Sequence, residues 1–590
     1  MMQIKERIQQ LRQAMVAQDI DAFIIPSGDP HLSEYVSEQW KVRDYFSNFT
    51  GSAGTLIVTQ DHAGLWTDSR YFTQAEHELA GTGVQLHRLG QNRAPIQWDW
   101  LKSQLKKGQR IALSPWQHTF AGANRLKNMF AAHEIHVVSA FDPIDTIWTN
   151  RPAAPAEPIY HLDLKYSGQV RSEKLALLTN AIESNQGDYF LLTALDDIAW
   201  LTNLRGSDVE CNPVFYSYFL AGKNGHVLFA NKSCLADGLE AALAKDNIRV
   251  VDYKEAISFF GTVEGTVLAD LNQVNLPLAN AMAKASLQAC KNPVPLAKGI
   301  KNETECKNVE IAMQKDAVAL CRLYMWLEEI LKSKSVTEIE VADKLHGFRK
   351  EQELFVGDSF GAIVGYKGNG ALPHYRALPE SCASLEAEGV LLIDSGGQYL
   401  DGTTDTTRTV ALGPVPQEAI TNATLVLKGM IALGHAKFPK GTTGVQLDIL
   451  ARQFLWQQGL NYGHGTGHGV GSFMNVHEGP QSITTSPVGR GTEVFHAGMI
   501  TSNEPAYYEE GQYGIRIENL ILCEAAKEEG YLQFRDVTLF PFDRALIDET
   551  LLTASEKAWI NAYHNKVYAD VESRLTDEER VWMREKCFNF

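Results

Sequence analysis

The chain is poor in cysteine, lacks long apolar runs and has no surplus of basic charge, and each shortfall excludes a class of protein. Its eight cysteines (Cys211, Cys234, Cys290, Cys306, Cys321, Cys382, Cys523 and Cys587) are scattered over 590 residues, and none forms a CxxC pair. That spacing is no disulfide framework and points to free thiols in a reducing compartment. No apolar run approaches the roughly 18 residues that a membrane-spanning helix requires. The opening segment, MMQIKERIQQLRQAMVAQDIDAFIIP, is broken by charges, and Ile4, Ile8, Leu11 and Met15 recur at helical spacing. It reads as an amphipathic helix rather than a signal peptide, so a cytoplasmic location is expected. Lys and Arg number 54 against 71 Asp and Glu, a formal net charge of −17. A phosphate-backbone binder needs a basic surface, so nucleic acid is not an expected partner. An acidic surface instead favours cations, including metal ions and amine-bearing peptides.

What is present suffices for about three or four domains. A helix at about 3–18 leads into the apolar strand 21–26, followed by strands at 54–59 and 64–67; alternating elements of this kind favour an α/β layer. The proline-rich run Thr149-Asn-Arg-Pro-Ala-Ala-Pro-Ala-Glu-Pro158 marks a first boundary. A second α/β unit then echoes the first: Phe46-Ser-Asn-Phe-Thr-Gly-Ser52 matches Leu201-Thr-Asn-Leu-Arg-Gly-Ser207 as apolar-x-Asn-apolar-x-Gly-Ser. It ends near Lys291-Asn-Pro-Val-Pro295. The third region opens with a long helical pattern from Asn302 to about Leu331, with apolar residues at Val309, Met313, Ala317, Leu320 and Tyr324. Strands dominate from Phe360 to Thr538, with helices near 417–437 and 444–458. The tail is helical, with capping boxes at Thr553/Glu556 and Thr576/Glu579. The expected division is 1–155, 156–298 and 299–590.

The chemistry lies in the third region. Val390-Leu-Leu-Ile-Asp394-Ser-Gly-Gly397 is an apolar strand ending in a carboxylate, and the chain returns through Asp405 to Val410 as an antiparallel neighbour. A carboxylate at the end of such a run needs a partner, which a metal ion can supply; by itself, Asp394 could equally face solvent or pair with Arg408. In Tyr462-Gly-His464-Gly-Thr-Gly-His468-Gly-Val-Gly471, glycine occupies every odd position. That period is incompatible with a stable helix. An extended segment would put His464, Thr466, His468 and Val470 on one face, and its glycine face would admit another backbone. With His477 nearby, the histidines suggest a metal or catalytic cluster. A phosphate-cradling loop is disfavoured, since no Lys-Ser/Thr pair follows. Glu504 ends a short strand before Pro505, and Arg516 and Glu518 share a face of the next; alone, those two read as a surface salt bridge.

Together these residues form an oxygen-rich set that suits Mn²⁺, Co²⁺ or Mg²⁺ better than a closed structural zinc. Four carboxylates would over-neutralise one ion. A carboxylate-bridged pair of divalent ions balances them, and its chemistry is to generate hydroxide at neutral pH and to polarise a carbonyl.

With these residues assembled, the chain resembles the cytosolic Xaa-Pro aminopeptidases (aminopeptidase P) of the pita-bread-fold metallopeptidases over nearly its whole length. The stretches that carry the resemblance are LWTDSRYFTQA at 65–75, DDIAWLTNLRGSDV at 196–209, LIDSGGQYLDGTTDTTRTV at 392–410, HGTGHGVGSFMNVHEGP at 464–480, and SNEPAYY with GIRIEN within 502–519. The resemblance implies an α/β (α+β) architecture of two related creatinase-like N-terminal domains and a C-terminal pita-bread catalytic domain. It implies five ligands, Asp394, Asp405, His468, Glu504 and Glu518, holding two divalent ions, usually Mn²⁺ with Co²⁺ or Zn²⁺ as alternatives. Asp405 and Glu518 would bridge the ions, and Glu504 would also act as general base. His374 would lie near the scissile carbonyl, and His464, His477 and Arg516 fall on the family's other active-site positions. The implied activity is hydrolysis of the N-terminal Xaa-Pro bond of peptides with proline in second position, in a homodimeric cytosolic enzyme. The competing readings are an Xaa-Pro dipeptidase, whose relatives usually carry one N-terminal domain, a metal-independent creatinase-like hydrolase, and an inactive binding protein of the same fold. The last two sit poorly with a full ligand set.

Overall fold

A computed structural model describes residues 3–90 and 95–590. The chain divides into two compact units, one of Met1–Leu162 with Gln169–Val294, the other of Asp163–Gly168 with Pro295–Phe590.

The first unit contains the same sheet twice. One sheet runs Gln85–Arg88, Ala63–Thr67, Thr55–Thr59, Ala22–Pro26, Arg110–Leu113, His136–Val138 from edge to edge. The other runs Ile248–Asp252, Gly225–Ala230, Ser217–Gly222, Tyr189–Leu192, Gly265–Ala269, Ala285–Ala289. In each, the fourth strand pairs antiparallel with the third and parallel with the fifth, the second and third are antiparallel, and both edge strands are parallel to their neighbours. Six strands with one order and one set of directions bear out the repeat that the short sequence match suggests. The match has a local cause too. Asn48 ends the helix Val42–Ser47 at φ 70°, and Asn203 ends Leu195–Thr202 at φ 52°. Asparagine tolerates this left-handed C-cap better than most side chains. The apolar strand Ala22–Pro26 reads as a continuous run because both its faces are covered. Phe23 and Ile25 enter one core cluster, and Ala22 and Ile24 the cluster behind.

In the second unit the helix Glu303–Ile330 starts at Asn302, whose side chain accepts from Glu305 N while Glu305 answers in a capping box. Its apolar face joins the main core with the helices Gln417–Gly434 and Ala554–Val571. Thr553 and Thr576 cap the tail helices with the expected boxes. Three antiparallel strands, Ile363–Tyr366, Val390–Ser395 and Thr406–Ala411, form one small sheet. A six-stranded sheet runs Lys437–Pro439, Tyr531–Asp536, Asn519–Ala525, Ile500–Asn503, Gly467–Gly469, Glu478–Ile483. The hairpin Ala506–Glu509/Tyr513–Arg516 completes the strands around the site. The helices Gln417–Gly434 and Gly444–Trp456 come close enough that a Cβ on Gly429 would meet the Ala451 carbonyl oxygen at 2.1 Å. All eight cysteines are free thiols. Among the described residues, no helix is long and apolar enough to cross a membrane.

Candidate metal centre and active site

Every carboxylate singled out by sequence arrives at the site on a strand or beside one. Asp394 sits opposite Thr407 in the pair Val390–Ser395/Thr406–Ala411, and Asp405 immediately precedes the second of these strands. Glu504 follows Ile500–Asn503, and Glu518 lies between Tyr513–Arg516 and Asn519–Ala525. His468 is the middle residue of Gly467–Gly469. The extended glycine segment is shorter than its sequence period suggests, since only 467–469 pairs as strand. The reason the glycines are needed there is visible: a Cβ would meet the Ser502 carbonyl oxygen at 1.9 Å from Gly467 and the Glu478 carbonyl oxygen at 2.4 Å from Gly469. No larger residue fits between the two neighbouring strands. His464, Thr466 and His468 consequently do not share one environment. Thr466 is buried and donates to Asp448 at 2.6 Å, whereas His464 turns to the hydroxyl of Tyr508 at 2.9 Å.

Asp405, His468 and Glu518 each offer a ligand atom, and these atoms all lie within 4.8 Å of one another. His468 Nε2 is 3.5 Å from Asp405 Oδ2 and 3.6 Å from Glu504 Oε1. Glu518 accepts from the Thr407 hydroxyl at 2.7 Å, and the Glu504 backbone N–H donates to Thr466 O at 2.8 Å. Asp394 reaches the cluster through Arg516, whose Nη2 lies 2.6 Å from Oδ2. The ring of His477 stands perpendicular to that of His468, with centroids 4.4 Å apart. His374 lies on the connection that follows Pro373, and the Pro373 carbonyl accepts from Arg516 Nη2 at 3.3 Å. Two local alternatives are thereby corrected. Arg408 is not the partner of Asp394; it is buried among acceptors, namely the carbonyls of Thr407, Glu518, Phe540 and Pro541 and the side chain of Asn519. Arg516 and Glu518 are not a surface pair, since both are buried.

The electrostatics of the cluster are those of acids crowded together. Burial pushes Asp405 well above the usual carboxylate range, and the charges of Asp394 and Glu504 push it further. Burial does the same to Glu518, reinforced by Asp405, Asp394 and Glu504. Glu504 is raised to about 7 by burial, with Arg516 and His477 opposing and Asp394 adding. Such a group is unfavourable when fully ionised and without cations. One further atom points the same way: Asp394 Oδ1 is buried and accepts no hydrogen bond among the described residues. A buried acceptor normally has a partner. The donor set of carboxylates and one imidazole, with an oxygen left over, fits divalent cations of the oxygen-preferring kind.

Sequence reasoning leaves several contributors out. Tyr508 OH accepts from Arg516 Nη1 at 2.5 Å and meets His464. Thr407 bonds both Glu518 and Arg516. Arg452 is held by Asp448 at 2.6 Å and donates to the carbonyls of Tyr462 and His464, which fixes the loop leading to His468. Tyr508 lies diagonal to Arg516 in their hairpin, where Ala506 is the direct partner. Only the register of that hairpin could have signalled the contact.

Family models match in sequence order. Residues 7–147 and 150–305 each match a creatinase/prolidase N-terminal domain, 307–525 match metallopeptidase family M24, and 530–590 match the C-terminal region of peptidase M24. A probable Xaa-Pro aminopeptidase P of Laccaria bicolor is 38% identical, over 99% of this chain and 93% of that one. Its counterpart in Pyricularia oryzae is 39% identical over 98% and 97%. The solved X-prolyl aminopeptidase of Caenorhabditis elegans, described as a cytosolic enzyme with a di-nuclear active site, superposes with a TM-score of 0.96 at 34% identity over the whole of both chains. A prolidase of Pyrococcus horikoshii shares the fold over 64% of this chain, with a TM-score of 0.50 at 23% identity. The chain belongs to the aminopeptidase P group of metallopeptidase family M24.

Proposed function

We propose that this chain is a metal-dependent aminopeptidase that hydrolyses the N-terminal Xaa-Pro bond of peptides and releases the first residue. The observation that carries the reading is the convergence of Asp405, His468 and Glu518 within 4.8 Å, beside Glu504 and an Asp394 oxygen that has no partner among the described residues. These five side chains would hold two divalent ions, with Mn²⁺ the favoured metal. Bound there, the ions would lower the pKa of a water and polarise the scissile carbonyl.

The remaining roles belong to the chain's own residues. Glu504, 3.6 Å from His468 Nε2, takes up the proton released at the nucleophile and passes it to the leaving prolyl nitrogen. Arg516 fixes one oxygen of Asp394 and leaves the other buried with no hydrogen-bond donor among the described residues. His477 packs edge-on against the His468 ring and would act beside the ligands rather than as one of them. His374, beside the Pro373 carbonyl that Arg516 holds, donates a hydrogen bond to the oxyanion. His464 is tied to the Tyr508 hydroxyl, which in turn accepts from Arg516.

The domain boundaries are placed near 155 and 298; the family matches change over at 147–150 and at 305–307. The cytosolic description of the C. elegans protein supports a cytoplasmic location. A homodimer is the assembly that the resemblance implies. Metal analysis of the purified protein beside an Xaa-Pro-Yaa peptide assay tests the whole reading. A protein that binds about two equivalents of Mn²⁺ and liberates the first residue supports it; a metal-loaded protein inert on such peptides overturns it.

A further inference from the structure

Glu338 is a wholly buried carboxylate with no Lys, Arg or His paired to it among the described residues. It opens the helix Glu338–Lys350, directly after the N-cap Thr337. Its place in the first turn puts the charge at the positive end of the helix dipole. Its hydrogen-bond partners all come from one stretch, residues 366–383. Oε1 accepts from the backbone of Tyr366 at 2.7 Å and from Asn369 Nδ2 at 3.1 Å. Oε2 accepts from the Tyr375 hydroxyl at 2.8 Å, from the Ala383 backbone at 2.8 Å and from Asn369 Nδ2 at 3.1 Å. The Glu338 backbone N–H in turn donates to Ala383 O at 3.1 Å.

This stretch begins at the end of Ile363–Tyr366, the strand paired with the one that carries Asp394, and it ends at the short strand Ser384–Leu385. Apart from the 3₁₀ turn Lys367–Ala371, no helix or sheet ladder fixes it in between. His374 lies within it. On one side Pro373 is tied by its carbonyl to Arg516, a residue of the carboxylate cluster. On the other side Tyr375 is tied by its hydroxyl to Glu338. One carboxylate therefore gathers both ends of the stretch and the immediate neighbour of His374.

We propose that Glu338 is a positioning residue: it organises the 366–383 segment so that His374 is presented to the scissile carbonyl. The proposal rests on the role given to His374 above, and the geometry gives it a mechanism. A carboxylate can take every donor offered to it, whereas an amide in its place must turn an NH₂ towards donors and leave some of them unpaired. The segment would then relax, and displacements on the order of 1 Å at a catalytic group cost about 10²-fold.

A double-mutant cycle tests this. His374→Ala, Glu338→Gln and the double variant are compared for kcat and KM on an Xaa-Pro-Yaa tripeptide, with bound metal and Tm measured on each. Glu338→Gln is expected to lower kcat by about 10- to 10²-fold with KM changed far less and the metal content unchanged. In the His374→Ala background the same substitution is expected to cost almost nothing further, because the group it positions is gone. Tyr375→Phe removes only the bond next to His374 and should show a smaller loss with the same non-additivity; it carries the test if Glu338→Gln fails to fold. Losses that multiply in full would overturn the proposal, as would wild-type kcat in folded Glu338→Gln. If His374→Ala alone leaves kcat unchanged, the role of His374 falls, and that of Glu338 falls with it.

Discussion

Arg516 Nη2 lies 2.6 Å from Asp394 Oδ2, and this one contact decides how Asp394 faces the cluster. With Oδ2 taken, Oδ1 is left buried and without a donor among the described residues. Arg516 can do this because its other terminal nitrogen is fixed by Tyr508 and its Nε by Thr407 at 3.3 Å. Arg516→Met should therefore cost both activity and metal affinity, since it strips a buried charge of its partner, a loss of about 3–5 kcal/mol for such pairs. Arg516→Lys should recover little, because an ammonium cannot reproduce the fork. Kinetics and metal titration of the two variants check this. Wild-type metal affinity in Arg516→Met would show that Asp394 orients without it.

Metal removal should abolish hydrolysis, and Mn²⁺ should restore it. The raised pKa values of Asp405 and Glu518 add a less obvious expectation. In the metal-free protein these acids repel one another in a buried site, so Glu518→Gln should leave the Tm unchanged or raise it. With metal present, the same substitution removes a ligand and should lower the Tm. Binding at about 1,000 times Kd adds about 4 kcal/mol to a fold, so thermal melts with and without Mn²⁺ will resolve the inversion. The same sign in both conditions would place Glu518 outside the ligand set.

Glu504 and His477 separate ligand from helper. Glu504→Gln should remove a base as well as a ligand, lowering kcat by about 10²–10⁴-fold or more. His477 packs edge-on against His468 at 4.4 Å, so His477→Ala should keep the metal while losing rate. An empty site in His477→Ala would make it a ligand and refute the assignment.

His564 supplies a pH dependence away from the cluster. It is fully buried, accepts from the Phe542 N–H at 3.2 Å on Nε2, and bonds the Phe588 carbonyl at 2.8 Å through Nδ1. Burial pushes its pKa down to about 4, with the Phe588 carbonyl opposing and Arg408 adding. Between pH about 6.5 and about 4 the unfolded chain takes up a proton that the folded chain refuses. Its contribution to stability is thus complete above pH 6.5 and falls by about 1.4 kcal/mol per unit as the pH drops towards 4. His564→Gln should destabilise the protein at pH 7.5 and do so less at pH 5, by about 2 kcal/mol. A Tm difference from wild type that is constant between those pH values would exclude this account.

The legible and illegible parts of this protein divide on physical grounds. The strand-end carboxylates Asp394 and Glu504 stand out in sequence because an acid after an apolar run is costly without a partner, and Gly467 and Gly469 because alternate glycines admit neighbouring backbones. The duplicated unit shows through Asn48 and Asn203 because a left-handed cap restricts the residue type. What stays hidden is what depends on which elements meet. The partner of Arg516 is a residue 122 positions away, and nothing local distinguishes Asp394 from Glu518 as its choice. Glu338 reads as an ordinary acid in a helix first turn, although Tyr375, 37 residues on, depends on it.

The last expectation concerns chain length of the substrate. Peptides of the form Xaa-Pro-Yaa should be cleaved well and bare Xaa-Pro dipeptides poorly. Proline's nitrogen has no hydrogen and its ring fixes φ, so a site shaped for it needs no acceptor there and gains a rigid handle. The substrate's amine is drawn to the acidic cluster, which sets cleavage after residue one. A dipeptide brings its prolyl carboxylate to the same place, and desolvating that charge without a cation is expensive. Arg516 is the cation nearest in sequence to the ligands, but it is buried and already bound to Asp394, Tyr508 and the Pro373 carbonyl. Four of its five N–H donors are already engaged, by Thr407, Tyr508, Asp394 and the Pro373 carbonyl, so it could not grip a second carboxylate with two parallel bonds without releasing a present partner. A kinetic comparison of Ala-Pro with Ala-Pro-Ala decides the matter. The tripeptide should have the higher kcat/KM by at least about tenfold, the equivalent of roughly 1.4 kcal/mol. A higher value for the dipeptide would mean that Arg516 exchanges partners on binding, and would turn the assignment towards a dipeptidase.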